Sequence, residues 1–159
     1  MLGSTYTDQT CSVARSLEVV GERWTLLILR NAFLGVRRFE DMQRNLGVAR
    51  NVLTTRLERL VEEGVLERRV YQDRPVRHEY VLTDKGHDLW PVISALMAWG
   101  DRHAPNPDGP PTIVRHRDCG GILDDRVCQK CGVLLTSSRQ ARAEPGPGAS
   151  PGHPLYAAG

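Results

Sequence analysis

Four residues in the C-terminal part of this 159-residue chain carry metal-ligand chemistry. His116 and Cys119 are separated by two residues and followed by glycine, and Cys128 and Cys131 repeat the arrangement. Such a gap lets two side chains and backbone N–H groups converge on one ion, and the glycine permits the left-handed turn this needs. Three thiolates and one imidazole satisfy tetrahedral Zn2+ without an open position, so a structural Zn2+ is expected and not a catalytic one. Only eight residues lie between the two pairs, fewer than in common fingers, so residues 116–135 are expected to form a minimal zinc-knuckle-like hairpin that depends on its metal. A disulfide between two of the cysteines, or free thiols, are the competing readings.

Cys11 stands alone at the other end. It sits where a helix is expected to begin, with Arg15 one turn on, and these are surroundings in which a thiol becomes reactive. Cys11 is therefore a redox-sensor candidate. The alternative is a small, partly buried residue that fills an interface.

Other chemistry is not supported. The chain has no Gly-rich phosphate loop, nucleophile elbow or HExxH motif, so no catalytic residues are expected. Met1 to Thr10 has neither a basic n-region nor an apolar h-region, and no apolar run approaches the ~20 residues of a membrane span, so a cytoplasmic protein is expected. Charged residues make up 25% of the chain and the net charge is +2, so affinity for nucleic acid must come from local clustering.

The elements that position these residues follow from hydrophobic spacing. Val13, Leu17 and Val20 predict a first helix stopped at Gly21, and Trp24 through Leu34 is apolar nearly all round, which predicts a buried second helix. Phe39, Met42 and Leu46 are followed by a break at Gly47, and then Leu53, Leu57, Leu60 and Val61 run to Gly64, the pattern of a helix-turn-helix. Residues 65–71 and 78–82 read as strands around the basic turn Gln72 to Arg77, which makes the motif a winged helix. Thr83 can cap a further helix carrying Leu89, Ile93, Leu96 and Met97, with Trp90 and Trp99 beside the stripe and a kink or restart at Pro91. So wide a stripe exceeds what a three-helix core can cover, and it is read as a dimerisation helix that meets a second copy.

The expected class is α+β, mainly α. A flexible arm (1–10) precedes the winged helix-turn-helix and dimerisation domain (11–104), followed by a linker (105–115), the metal module and a Gly/Pro/Ala-rich tail (136–159) expected to be disordered.

Between Asp41 and Glu58 there is no acidic residue, while Arg44, Arg50 and Arg56 fall in that window. With the leucines facing inward, Asn51, Thr55 and Arg59 point outward, flanked by Arg50 and Thr54, and these are the side chains expected to reach base edges. Arg37, Arg38, Arg74 and Arg77 are expected on phosphates or in a minor groove, where they set register.

These elements resemble the HxlR family of winged-helix regulators, which has a MarR-like fold. The resemblance rests on Cys11, Gly21-Glu22-Arg23-Trp24, Arg38-Phe39, Leu53-Thr54-Thr55-Arg56-Leu57, Glu63-Gly64-Val65-Leu66-Glu67-Arg68 and Tyr80-Val81-Leu82-Thr83-Asp84-Lys85-Gly86, and covers Cys11 to His103. It implies a homodimer on double-stranded DNA, with Arg50 through Glu63 as recognition helix and Cys11 at the position that several such regulators use to sense oxidants or electrophiles. The His/Cys segment lies outside the resemblance. A repressor is expected, and a winged helix used for protein docking in a larger transcription assembly is the rival reading. Trp24, Trp90 and Trp99 read as core and not as a pocket, so no small-molecule effector is indicated.

Overall fold

The computed structural model describes Tyr6 and residues 10–157. Apart from Tyr6 and Thr10, the expected N-terminal arm lies outside the described residues. Helix α1 (Ser12–Val20) is capped by Cys11, and α2 (Thr25–Phe33) follows after a short turn. Helices α3 (Phe39–Leu46) and α4 (Arg50–Glu62) form the helix-turn-helix, with Gly47 ending α3. Leu53, Leu57 and Leu60 of α4 are fully buried against Ile28, Leu29, Met42 and Leu66. This one-sided apolar face leaves the opposite face of α4 to solvent.

Strands β1 (Leu66–Asp73) and β2 (Val76–Leu82) pair antiparallel from Leu66↔Leu82 to Asp73↔Val76, with a register irregularity between Val70 and Gln72. Pairing continues beyond the expected strand ends, so the turn narrows from six residues to Arg74-Pro75. Thr83 caps the short α5 (Asp84–His87) by accepting from the Gly86 N–H at 3.1 Å. The expected restart is found: α6 (Trp90–His103) begins anew with Pro91 in its first turn, where a missing N–H costs nothing.

The C-terminal part departs from expectation. Strand β3 (Thr112–His116) starts inside the supposed linker and pairs antiparallel with β6 (Ala141–Pro145), which lies in the segment expected to be disordered. The Gly- and Pro-rich segment that follows β6 concealed it, because its order comes from a partner strand 25 or more residues away and not from its own periodicity. Between them, β4 (Leu123–Asp124) and β5 (Val127–Cys128) form a hairpin whose turn residues, Asp125 and Arg126, both have positive φ, as a tight two-residue turn requires. A 3-10 turn (Ser138–Gln140) precedes β6 and α7 (Pro154–Ala157) follows it.

The extension packs on the body. Trp90 is buried with Cys128, Leu135 and Ala141, and Phe33 adds to the same cluster. The apolar surplus of α6 is thus consumed partly by the chain's own extension, whereas Val92, Leu96 and Trp99 stay exposed, as do Val13 and Leu17 of α1.

Candidate nucleic-acid interface and metal centre

Helices α3 and α4 and the β-hairpin wing enclose an open cleft of about 680 Å3 lined by Arg38, Arg44, Arg50 and Arg77, with Glu40 and Asp41 on the same wall. Two of its cations rest on aromatic rings. The Arg50 guanidinium lies 4.6 Å from the Phe39 centroid and that of Arg38 4.7 Å from the Tyr71 centroid, geometry that orders a cation without neutralising it. Tyr71 sits at the register irregularity of β1. Sequence reading missed Phe39 and Tyr71 as platforms, because each ring lies far along the chain from the arginine it holds and only the fold brings them together.

Helix α4 opens at Ala49 with no side-chain cap and no acidic residue in its first turn. Its first N–H groups are therefore open to an anion such as phosphate. Asn51, Thr55 and Arg59 are exposed on this helix, as expected, and Thr54 is half-buried. The Thr54 and Thr55 hydroxyls donate to the carbonyls of Arg50 and Asn51 at 2.9 and 3.0 Å, which fixes their rotamers and leaves their oxygens as acceptors. Arg59 pairs with Glu63 at 2.5 Å and Glu62 at 3.7 Å, and Arg44 with Asp41 at 3.0 Å. Arg37, Arg74 and Arg77 are exposed.

Arg56 does not join this face. Its guanidinium turns to Glu22 at 3.0 Å, its side chain is 27% exposed, and its Nε is buried. The acid-free window grouped it with Arg50 by sequence alone, but its position on α4 aims it at the turn between α1 and α2.

The second constellation forms as expected. His116, Cys119, Cys128 and Cys131 present one ligand atom each, all within 4.8 Å of one another. His116 Nδ1 lies 3.3 Å from the sulfurs of both Cys119 and Cys131, and Cys119 Sγ lies 3.4 Å from Cys128 Sγ and 3.6 Å from Cys131 Sγ. A zinc tetrahedron with ordinary bond lengths has edges of about 3.5 to 3.8 Å, close to these values. The cysteines are not joined by disulfides. His116 Nε2 faces Asp118 at 3.4 Å, a contact that orients a ligand ring.

Two turns of like design build the cluster. Gly120 and Gly132 have φ of 71° and 74°, and their N–H groups donate to the carbonyls of His116 and Cys128. A Cβ at Gly121 would stand 2.5 Å from Cys128 Sγ, so the first turn must pass close to the second. Burial opposes ionisation of Cys128, but N–H groups of Cys131 and Lys130 and the neighbouring thiols outweigh it, and its pKa falls to about 6.

Cys11 is exposed at the start of α1, where its sulfur accepts from the Ala14 N–H at 3.4 Å. Arg15 turns to Ser12 Oγ at 3.3 Å. The three tryptophans share no pocket: Trp24 packs on the main core, Trp90 under the extension, and Trp99 is exposed. Among the described residues no helix is long and apolar enough to cross a membrane.

A helix-turn-helix with a basic wing and an open, uncapped recognition helix defines a winged-helix DNA-binding transcriptional regulator. Comparison with known proteins agrees. Residues 19–108 match the HxlR-like helix-turn-helix family, and the chain belongs to it. The uncharacterized HTH-type transcriptional regulator Rv3095 of Mycobacterium tuberculosis is 54% identical over 138 residues, 86% of this chain and 87% of that protein. That similarity is too long to end at Asp108 and reaches into the extension. The crystal structure of PA1607, described as a candidate transcription factor, matches with a TM-score of 0.66 and 38% identity, over 81% of this chain and 91% of that one. The reduced form of the redox regulator HypR matches with a TM-score of 0.54 and 28% identity, over 59% of this chain and 96% of that one.

Proposed function

We propose that this regulator binds an inverted-repeat operator as a homodimer and represses the promoter it occupies. The observation that carries the reading is the cleft between the helix-turn-helix and the wing, where four arginines flank the uncapped start of α4. In this reading Arg50, Asn51, Thr54, Thr55 and Arg59 meet base edges in the major groove, and Arg37, Arg38, Arg44, Arg74 and Arg77 hold phosphates or the minor groove. The exposed apolar residues of α1 and α6 supply the surface for a second copy. Such a protein acts by binding and has no catalytic residues.

Structural Zn2+ is the occupant that fits the cluster, on donor set and ligand spacing. His116, Cys119, Cys128 and Cys131 would hold it, leaving no open coordination site. Cys11 is proposed as a thiol sensor, supported by its exposure and by the similarity to HypR, a redox regulator.

Selection of duplexes from a random pool by the reduced, full-length protein tests the reading, with zinc measured on the same preparation. Enrichment of an inverted repeat, one zinc per chain and an oxidant response lost in Cys11→Ser are the expected results. Binding that is uniform across sequences and merely salt-sensitive would move the function to protein docking, a role that exposed Ile122, Val133 and Leu134 on the metal module would suit.

A further inference from the structure

Where the extension meets the body, a cavity of about 440 Å3 remains, within the ~300–1,000 Å3 of small-molecule sites. Its walls come from α2, α6, β3 and β6, and Leu26, Phe33, Ile93, Met97 and Val114 make them largely apolar. Arg30 of α2 lines it. Burial holds the Arg30 guanidinium below its ordinary pKa, a sign that water no longer solvates it freely. Its hydrogen bonds go to neutral amides: Nε and Nη2 donate to Asn31 Oδ1 at 3.1 and 2.8 Å, and Nη2 reaches Asn45 Oδ1 at 3.3 Å. His153 shares the wall, and the charge of Arg30 adds to burial in lowering its pKa, whereas among the described residues no ion pair joins Arg30 to a carboxylate. Asp101 is the one acidic residue among the described residues of the wall, and it forms no ion pair with Arg30.

A half-buried cation on the wall of a largely apolar cavity suits an anion with an apolar body. We propose that this cavity binds an apolar organic carboxylate, with the carboxylate on Arg30 and the hydrocarbon between α2, α6 and β3. Asn45, which Arg30 touches, belongs to α3 and donates to the Gly152 carbonyl of the extension at 2.6 Å. An occupant therefore contacts both the helix-turn-helix and the extension. Any effect on DNA affinity rests on the DNA-binding reading above, whereas binding to the free protein does not, so the two can fail separately.

The test is titration of the full-length, zinc-containing protein, without DNA, with decanoate, 2-naphthoate, decylamine and decanol, followed by calorimetry and NMR. Saturable binding of one or both carboxylates at least tenfold tighter than decylamine and decanol is expected. Arg30→Met should abolish that preference, and Val114→Trp, which fills the cavity and leaves Arg30 in place, should abolish binding while circular dichroism stays unchanged. Decanoate against naphthoate tells an aliphatic from an aromatic body. No saturable carboxylate binding, equal binding of the amine or alcohol, or a preference that survives both substitutions would overturn the proposal.

Discussion

The winged-helix body and the C-terminal extension solve the same problem with different means. Among the described residues the body buries eleven apolar side chains in one cluster, from Val20 to Leu66, and its helices follow from their spacing. The extension buries Cys128, Leu135 and Ala141 and borrows Trp90 from α6. So small a core cannot offset the entropy of ordering its strands, and modules of that size need a staple. The difference teaches where each part must find its stability: in hydrophobic contact for the body, and, on the proposed zinc site, in the His116/Cys119/Cys128/Cys131 cluster for the extension.

The largest expected effect separates the two. Removal of zinc by a chelator, or Cys128→Ser, should unfold the extension, because structural zinc contributes about 10–16 kcal/mol to the folding of small metal modules. Hydrogen exchange should then show lost protection over residues 112–145 and retained protection in α2 and α4. Equal loss in both would mean that the body depends on the metal too. The converse is Leu57→Ala, which opens a cavity in the body's core and should cost about 2–5 kcal/mol in denaturant titrations, while the metal stays bound until the body unfolds.

A smaller effect probes the recognition helix. Arg56→Ala removes the ion pair with Glu22, worth about 0–1 kcal/mol for a pair of this exposure. Stability should fall within that range, and preference among DNA sequences should not change. The smallest effect is on the junction. His87 Nδ1 meets Ser138 Oγ at 2.9 Å, and burial, then the charge of Arg139, lower its pKa against the opposing pull of Asp84 and Asp88. A lowered histidine pKa favours the neutral ring in the folded protein. That contribution is whole above the unfolded-state value of about 6.5 and is lost as pH falls through the lower folded-state value. Mild acid should loosen residues 138–145 before the body, and His87→Gln should remove that pH dependence in exchange measurements.

The body was legible in the sequence because its signals are local. Apolar residues recur at helical spacing, Gly47 breaks α3 from α4, and Thr83 caps α5. The gathering of His116, Cys119, Cys128 and Cys131 was legible for the same reason, since each pair lies within one turn. What escaped was long-range. Strand β6 is ordered by pairing with β3, and Ala141–Pro145 gives no periodicity of its own. The fate of Arg56 depended on where Glu22 falls in space. The apolar stripe of α6 was visible, but that Trp90 serves the extension and Val92, Leu96 and Trp99 remain outside it depends on a module that spacing could not dock.

Affinities of Asn51→Ala and Arg77→Ala for the selected operator and for unrelated DNA of equal length test the DNA-reading role of α4 most directly. Asn51→Ala should reduce the ratio of specific to non-specific affinity by about 10- to 100-fold, the cost of one lost base contact, with non-specific binding unchanged. Arg77→Ala should weaken both by a similar factor and lower the salt slope by about one. A ratio unchanged in Asn51→Ala would contradict base reading by the exposed face of α4.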